Sequence, residues 1–395
     1  MAPRPAMNIL LVSAMFPPIR TGSSFYAHDL GSVLAARGHK ITVVTLENEE
    51  ASAEESYAFP VHRLPAFHIP VESLFKHLRI ASVFPAAYRR MIALAREADV
   101  IYLVNHYLDI AFPAVVASLV TGTPLICSIH TQLQSTSRVK QRVMTAMDRL
   151  ICGRLIFPFC RRIIALDMEI RRYLTDVHGP RILDKVVIVP YGVGADFVPH
   201  PHSYDSYGQI IGIGAVIEQR NFVASVRLYQ RLLDRFPQLR YKIIGHVYHH
   251  EAIQVARSLG LEDRVEFLGE RSHAEVLEET ARSDLYVAIF SGEYVGLGTA
   301  TIESMRIGLP AVVNAPSDLF GETLLVDMEH YAEAGDDLDG IARKVTQLLE
   351  SRELRERIGR GGRKFVAEIL DWSAIAERVE RVLAELVEAG APASS

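Results

Sequence analysis

Cysteine is scarce in this 395-residue chain: Cys127, Cys152 and Cys160 are the three present, without the paired spacing of a zinc or dithiol motif. An odd, unpaired set argues against a disulfide framework and predicts a reducing, cytoplasmic setting. Long hydrophobic runs are missing as well. Apolar stretches such as 111–120 are too short to span a bilayer and are bounded by Gly and Pro. Residues 1–6 carry Pro and no apolar segment, so no signal peptide is expected. Positive charge is not in excess. The net charge of −5 removes the basic field expected of a nucleic-acid partner. No repeat of ~20–50 residues is visible, which excludes a solenoid. What is present is an ordinary globular balance, 49% hydrophobic and 23% charged, enough for two cores. At ~100–200 residues per domain, the length predicts two or three domains in a soluble chain.

Short β-branched runs alternate with helical patterns from end to end. Residues 8–13 read as a buried strand, and a Pro/Gly loop follows over 16–22. In 24–37 the positions Leu30, Val33 and Leu34 share a helical face that closes at Gly38, and 40–46 begins the next strand. Residues 100–104, 125–129 and 162–165 continue the series, and the pattern restarts after 186–190. The stretch 198–203, rich in Pro and His, reads as an interdomain linker. Strands are then predicted at 209–214, 241–245, 265–268, 285–289 and 311–314. Helices are predicted at 221–235, 250–259, 273–281, 299–307, 338–351, 353–368 and 373–388. Continuous apolar strands separated by helices indicate parallel sheets covered on both faces. The expected architecture is α/β, with two Rossmann-like parallel-sheet domains facing a central cleft. Its domains are 1–197, 198–371, and a final segment, 372–395, that crosses back to the first. Ligands in such sheets bind beyond the carboxyl ends of the strands.

Two strand–helix junctions carry candidate chemistry. Phe16-Pro17-Pro18 leads to Gly22, Ser23 and Ser24 at the start of the first helix. Small residues there leave backbone N–H groups and a positive dipole end open to an anion. A plain tight turn would use the same residues. The second junction runs from Ser291 through Glu293, Gly296, Leu297, Gly298 and Thr299 to Glu303. Gly296 and Gly298 allow close approach of a ligand to the backbone. The amides of Leu297, Gly298 and Thr299 can form a phosphate nest. Glu303, one turn into that helix, is placed to accept bonds from a ribose diol.

Six segments in order resemble the retaining glycosyltransferases called glycosyltransferase group 1, or family 4, over nearly the whole chain. They are Phe16-Pro17-Pro18 with Gly22; residues 34–45, which contain Arg37-Gly38-His39; and residues 124–130, ending in His130. Tyr191-Gly192, residues 264–269, and residues 296–313 complete the set. The resemblance implies a GT-B fold, with a nucleotide diphosphate held mainly by the C-terminal domain. It implies that His130 faces the transferred sugar and that Glu303 contacts ribose. The donor is then a nucleotide-diphosphate sugar, with no further cofactor and no bound metal. Basic side chains and backbone N–H groups would stabilise the leaving diphosphate, and the reaction would retain configuration. A sugar, a lipid-linked molecule or a small molecule would accept the sugar, as in cell-envelope polysaccharide or glycoside synthesis.

This chain also departs from the family pattern. The family's first glutamate, eight positions before Glu303, falls on Val295, with Glu293 two residues earlier. Ala215 stands where an arginine is usual, Arg220 where a lysine is usual, and Asn221 where a glycine is usual. These changes leave two alternatives open: a phosphorylase or epimerase of the same fold, or a non-catalytic binding protein. Arg220 remains the candidate diphosphate cation, since a guanidinium binds phosphate bidentately. His106, after the strand 100–104, reads either as a cleft residue beside Ser23 or as a satisfied polar core residue. His246, His249, His250 and Glu251 have metal-ligand chemistry but fit an exposed loop equally well. Residues 138–162 hold seven basic residues and one acid, Asp148, interleaved with apolar ones. That pattern suits the anionic inner face of a membrane, or else a core-packing helix with a solvated cationic edge.

Overall fold

The computed structural model describes residues 5–19, 21–47, 57–69, 79–107, 109–133, 137–193, 202–290, 296–335 and 337–390. The chain divides into two compact units, Met1–Gly192 with Trp372–Ser395, and Val193–Asp371. Each is an α/β unit built on a parallel sheet.

The first unit opens with β1 (Asn8–Ser13), α1 (Gly22–Ala36), β2 (Lys40–Leu46) and β3 (Val61–Leu64). A small antiparallel pair, β4 (Phe67–His68) and β5 (Arg79–Ile80), and α2 (Pro85–Ala95) follow. Next come β6 (Val100–Val104), α3 (Ala111–Thr121), β7 (Leu125–Ile129) and α4 (Arg138–Ile151). Then β8 (Cys160–Ala165), α5 (Met168–His178) and β9 (Val186–Ile188) complete the run. The strand order is β3-β2-β1-β6-β7-β8-β9, parallel throughout. Alternate residues of each strand enter opposite cores, as the two-residue period of a strand requires. Leu10, Val12, Leu103 and Cys127 face one core, while Ile9, Leu11, Tyr102 and Ile126 face the other.

The second unit contains β10 (Gln209–Ile213), α6 (Phe222–Leu232), β11 (Arg240–Ile244), α7 (Glu251–Ser258) and β12 (Val265–Gly269). It continues with α8 (His273–Ala281), β13 (Leu285–Ala288), α9 (Thr299–Ile307), β14 (Ala311–Val313) and β15 (Ala332–Glu333). Helices α10 (Leu338–Glu350) and α11 (Arg352–Ile369) close it. The order is β12-β11-β10-β13-β14-β15, again parallel. The unit boundary lies at 192/193, and 198–201 of the linker stretch fall outside the described residues. His202, read as linker from composition, is packed into the second unit. Its Nε2 lies 2.7 Å from the Ser283 carbonyl oxygen.

The last helix, α12 (Trp372–Gly390), belongs to the first unit. Its residues Ile375, Ala376, Val379, Leu383 and Leu386 form a stripe at helical spacing against the core of α1. Trp372 anchors the start, 4% exposed, with its ring 5.5 Å from Tyr26 and 5.7 Å from Tyr191. The indole lies directly on Gly192, where an added Cβ would sit 2.5 Å from Trp372 Cδ2. The glycine after Tyr191 is therefore a packing requirement.

Gly192→Ala is expected to cost about 1–3 kcal/mol through overpacking. Trp372→Ala is expected to cost about 3–5 kcal/mol through the cavity it leaves. Denaturant unfolding measures both. An unchanged midpoint for Gly192→Ala would show that the indole is not seated there.

Candidate active site

Topology selects one place in each unit. The chain winds outward from β1 to β3, then returns to place β6 on the other side of β1. The second unit does the same around β10, with β13 on its far side. At such a reversal the connections leave in opposite directions, which opens a crevice at the carboxyl ends of the two strands.

In the first unit the residue after β6 is Asn105, with φ of 65° in the left-handed region. Asn tolerates that conformation better than other side chains do. Its amide makes two ties. Nδ2 donates to Ser23 Oγ at 2.7 Å, and Oδ1 accepts from the His130 N–H at 3.1 Å. Asn105 thereby joins the first turn of α1 to the end of β7. No sequence motif singled it out, although Asn following an apolar strand is a turn signal. His130 is half-buried, edge-on to Tyr26 at 4.1 Å, with Nε2 2.9 Å from Ser128 Oγ. Burial first, and the neighbouring His106 second, lower its pKa to about 3. It is therefore a neutral imidazole at physiological pH, able to donate or accept a hydrogen bond without adding charge. Gly22 is exposed with open space where a side chain would be, and Thr21 Oγ1 caps α1 by accepting from the Ser24 N–H.

Of the two readings of His106, burial favours the core one and not the cleft one. Its side chain is 0% exposed, lying 3.5 Å from Asp148 and stacked on Phe157 at 5.3 Å, so it lines no surface. The residue after a strand can turn into the layer beneath as readily as outward, and sequence does not distinguish the two.

In the second unit, Gly214 ends β10 with φ of 137°. The Arg220 guanidinium lies against it, where a Cβ would sit 2.5 Å from Cζ, and Nη1 donates to the Ile213 carbonyl at 3.2 Å. Arg220 is thus held at the strand end. The departure at Asn221 has a physical reason. Its φ is 37°, and its side chain caps α6 by accepting from the Ala224 N–H at 3.2 Å. Across the reversal, buried Tyr286 of β13 receives a hydrogen bond from Thr301 Oγ1 at 3.3 Å. Burial raises the Tyr286 pKa; the charge of Arg220 opposes that shift and the charge of Glu303 adds to it.

Helix α9 starts at Thr299 with Gly298 as its N-cap, a residue that has no side chain with which to cap it. The first N–H groups of a helix have no intrahelical acceptor, so this end presents free donors and a positive dipole. Gly296 has φ of 133°, and its N–H donates to the Asn314 carbonyl at 2.9 Å. Glu303 Oε1 lies 3.2 Å from His273 Nε2, at the start of α8, and this contact raises the His273 pKa. His273 was not legible as a site residue, because helix starts often carry His without function. Glu293 and Val295 lie outside the described residues. Ala215 follows Gly214 and supplies no cation. Among the described residues, His246, His249 and His250 are exposed and gather no metal-ligand group.

Helix α4 inverts the usual burial pattern. Val139, Val143, Met147 and Leu150, at helical spacing, are each more than half exposed, whereas Asp148 is buried. The segment is divided: the apolar ridge of α4 faces outward, flanked by exposed Arg138, Lys140, Arg142 and Arg149, whereas Cys152, Ile156 and Phe157 beyond it pack in the core. Among the described residues, no helix is long and apolar enough to cross a membrane.

Comparison with known proteins agrees with this architecture. Residues 20–197 match the model of Glycosyltransferase Family 4, and residues 200–365 that of Glycosyl transferases group 1. A glycogen synthase from Mycobacterium tuberculosis is 21% identical over 95% of this chain and 94% of its own. The phosphatidylinositol N-acetylglucosaminyltransferase gpi3 subunit of Schizosaccharomyces pombe is 20% identical over 94% of this chain and 79% of its own. Among solved structures, Anabaena HepE in complex with UDP superposes with a TM-score of 0.72 at 16% identity, over 96% of this chain and all of its own. Sucrose-phosphate synthase from Thermosynechococcus elongatus gives 0.73 at 18%, over 97% of this chain and all of its own.

The His130 assignment is checked by NMR titration. Its imidazole should stay neutral down to about pH 4, whereas a free histidine titrates near 6.5. The unfolded chain then binds the proton first, so this residue's contribution to stability falls as pH drops from about 6.5 toward 3. His130→Gln should flatten that fall. A His130 midpoint near 6.5 would overturn the buried, neutral picture.

Proposed function

Since the chain belongs to the glycosyltransferase group 1 and family 4 type, with its GT-B fold, we propose that it moves a sugar from a nucleotide-diphosphate sugar to an acceptor hydroxyl with retention of configuration. One observation carries this reading. At the reversal point of the second sheet, Thr301 in the first turn of α9 bonds to Tyr286, and the charges of Arg220 and Glu303 both act on that ring. Each feature suits one part of a nucleotide diphosphate. The amides of Leu297, Gly298 and Thr299 take phosphate oxygens, Arg220 offsets their charge, and Glu303 accepts from the ribose hydroxyls.

The reaction breaks the bond between the anomeric carbon and the diphosphate oxygen. A bond from the acceptor oxygen forms on the same face, and the acceptor proton passes to the departing phosphate. Negative charge on the diphosphate grows toward the transition state. A held guanidinium and a helix N-terminus stabilise that change without reorganising, and no metal is called upon in this reading. His130, neutral and fixed by Asn105 and Ser128, is assigned the contact with the transferred sugar. Its lack of charge suits hydrogen bonding to hydroxyls. Ser23, bonded to the same Asn105, is assigned to the acceptor side, and the Gly22 turn to the donor.

The acceptor is proposed to be presented at an anionic membrane surface, where the protein sits peripherally on the cytoplasmic side. The outward apolar ridge of α4 and its basic flanks support this. An exposed stripe of this kind has no role in the core, and four cations on α4 against one buried acid match acidic headgroups.

Calorimetry with UDP and related nucleoside diphosphates tests the donor site. Glu303→Gln should weaken binding by about 1–3 kcal/mol, the range for a hydrogen bond to a charged group, with folding little changed. Unaltered affinity would remove the ribose role, and a folded wild-type protein that binds no nucleotide would favour a non-catalytic protein.

Flotation with liposomes tests the membrane assignment. Recovery should require acidic lipid, fade with added salt, and drop when Val143 and Met147 are both replaced by Ser. Equal binding to neutral vesicles, or none to any, would overturn it.

A further inference from the structure

Beneath the exposed ridge of α4 lies a buried polar cluster that the transfer reaction does not use. His106 follows β6, Asp148 is on α4, and Cys152 opens a π-helical turn, Cys152–Ile156, that continues α4. All three are buried, and their nearest nitrogen, oxygen and sulfur atoms lie within 4.8 Å of one another. The cluster is unfinished as a hydrogen-bonded network. Both ring nitrogens of His106 and Oδ1 of Asp148 have no hydrogen-bond partner although fully enclosed. An enclosed polar atom left unpaired is destabilising, so three in one place call for an explanation.

The geometry supplies one. His106 Nε2 lies 3.5 Å from Asp148 Oδ1, long for a hydrogen bond. Two ligands with bonds of about 2.1 Å to a tetrahedral zinc stand roughly 3.4 Å apart, which is close to this spacing. The other carboxylate oxygen is already engaged. Tyr173 donates to Asp148 Oδ2 at 2.5 Å, and His178 Nε2 lies 3.3 Å from the same atom. Such outer contacts orient a ligating carboxylate and leave its second oxygen free. Gly153 makes room for them, since a Cβ there would sit 2.9 Å from His178 Nδ1. Charge also balances. One carboxylate and one thiolate neutralise a divalent cation inside the core, where an unbalanced charge is expensive.

We propose that His106, Asp148 and Cys152 form a structural site for a divalent cation of the zinc class, one that pins the inner face of α4 to the end of β6. Nitrogen, oxygen and sulfur ligands together select zinc over calcium or magnesium. On binding, the Cys152 thiol loses its proton to solvent and sulfur coordinates the metal as thiolate. Uptake therefore releases a proton and weakens in acid. The test of this site does not depend on transferase activity.

The full-length protein is produced in zinc-supplemented medium, gel-filtered, and analysed for metal by mass spectrometry. About one zinc per chain is expected, as for other enclosed structural sites. Replacement of zinc by cobalt should give tetrahedral d–d bands and a sulfur-to-cobalt charge-transfer band. Cys152→Ser should abolish the charge-transfer band, while Cys160→Ser should keep it. A wild-type protein with below about a tenth of an equivalent of zinc, or a cobalt form without the sulfur band, overturns the proposal. So does stoichiometric zinc that survives both His106→Gln and Cys152→Ser, because the ion then sits elsewhere.

Discussion

Both units depend on a parallel sheet whose winding reverses beside its first strand. Parallel strands need crossovers, the crossovers cover both faces with helices, and the interior becomes continuous and apolar. Only the strand ends remain for polar chemistry. The reversals at β1/β6 and β10/β13 then decide which ends are open, because neighbouring connections diverge there. The candidate groups cluster at these two places. Asn105, Ser23 and His130 gather at the first, and Arg220, Glu303 and the start of α9 at the second.

The two places differ in electrostatic character. At the first, burial removes charge: His130 is held neutral and Tyr26 and Tyr102 share a hydrogen bond of 2.6 Å. Neutral donors and acceptors of fixed direction suit hydroxyl groups. At the second, positive potential is concentrated by a guanidinium tied to a strand end and by a helix start whose N-cap is glycine. Fixing these groups beforehand lowers the reorganisation needed when an anion arrives. His273 adds a contact to Glu303 that a ribose would have to share or displace.

Helix α4 shows how burial can run against composition. Its inner face offers the core a carboxylate, Asp148, engaged by Tyr173 and His178 and facing His106. Its apolar side chains point outward among cations. The enclosed polar cluster fixes the orientation of the helix, so that the ridge of Val139, Val143, Met147 and Leu150 is displayed and not folded in.

Sequence by itself determined the layered α/β architecture, the positions of most strands, and the order of the family segments. These are local properties: apolar runs, helical spacing and glycines at turns follow from neighbours along the chain. Asn221 was legible as a departure, but that it serves a left-handed cap needed its backbone angles. Gly192 was legible as part of a motif, but its reason, the indole of Trp372, lies 180 residues further on. His106 and His130 both follow apolar strands, yet one turns inward to Asp148 and the other is tied to Ser128 and Tyr26. The direction of α4 was equally undecided, since an amphipathic pattern states that two faces differ and not which one is buried. Tertiary structure decided these points because burial, charge pairing and side-chain direction are set by residues distant in the chain.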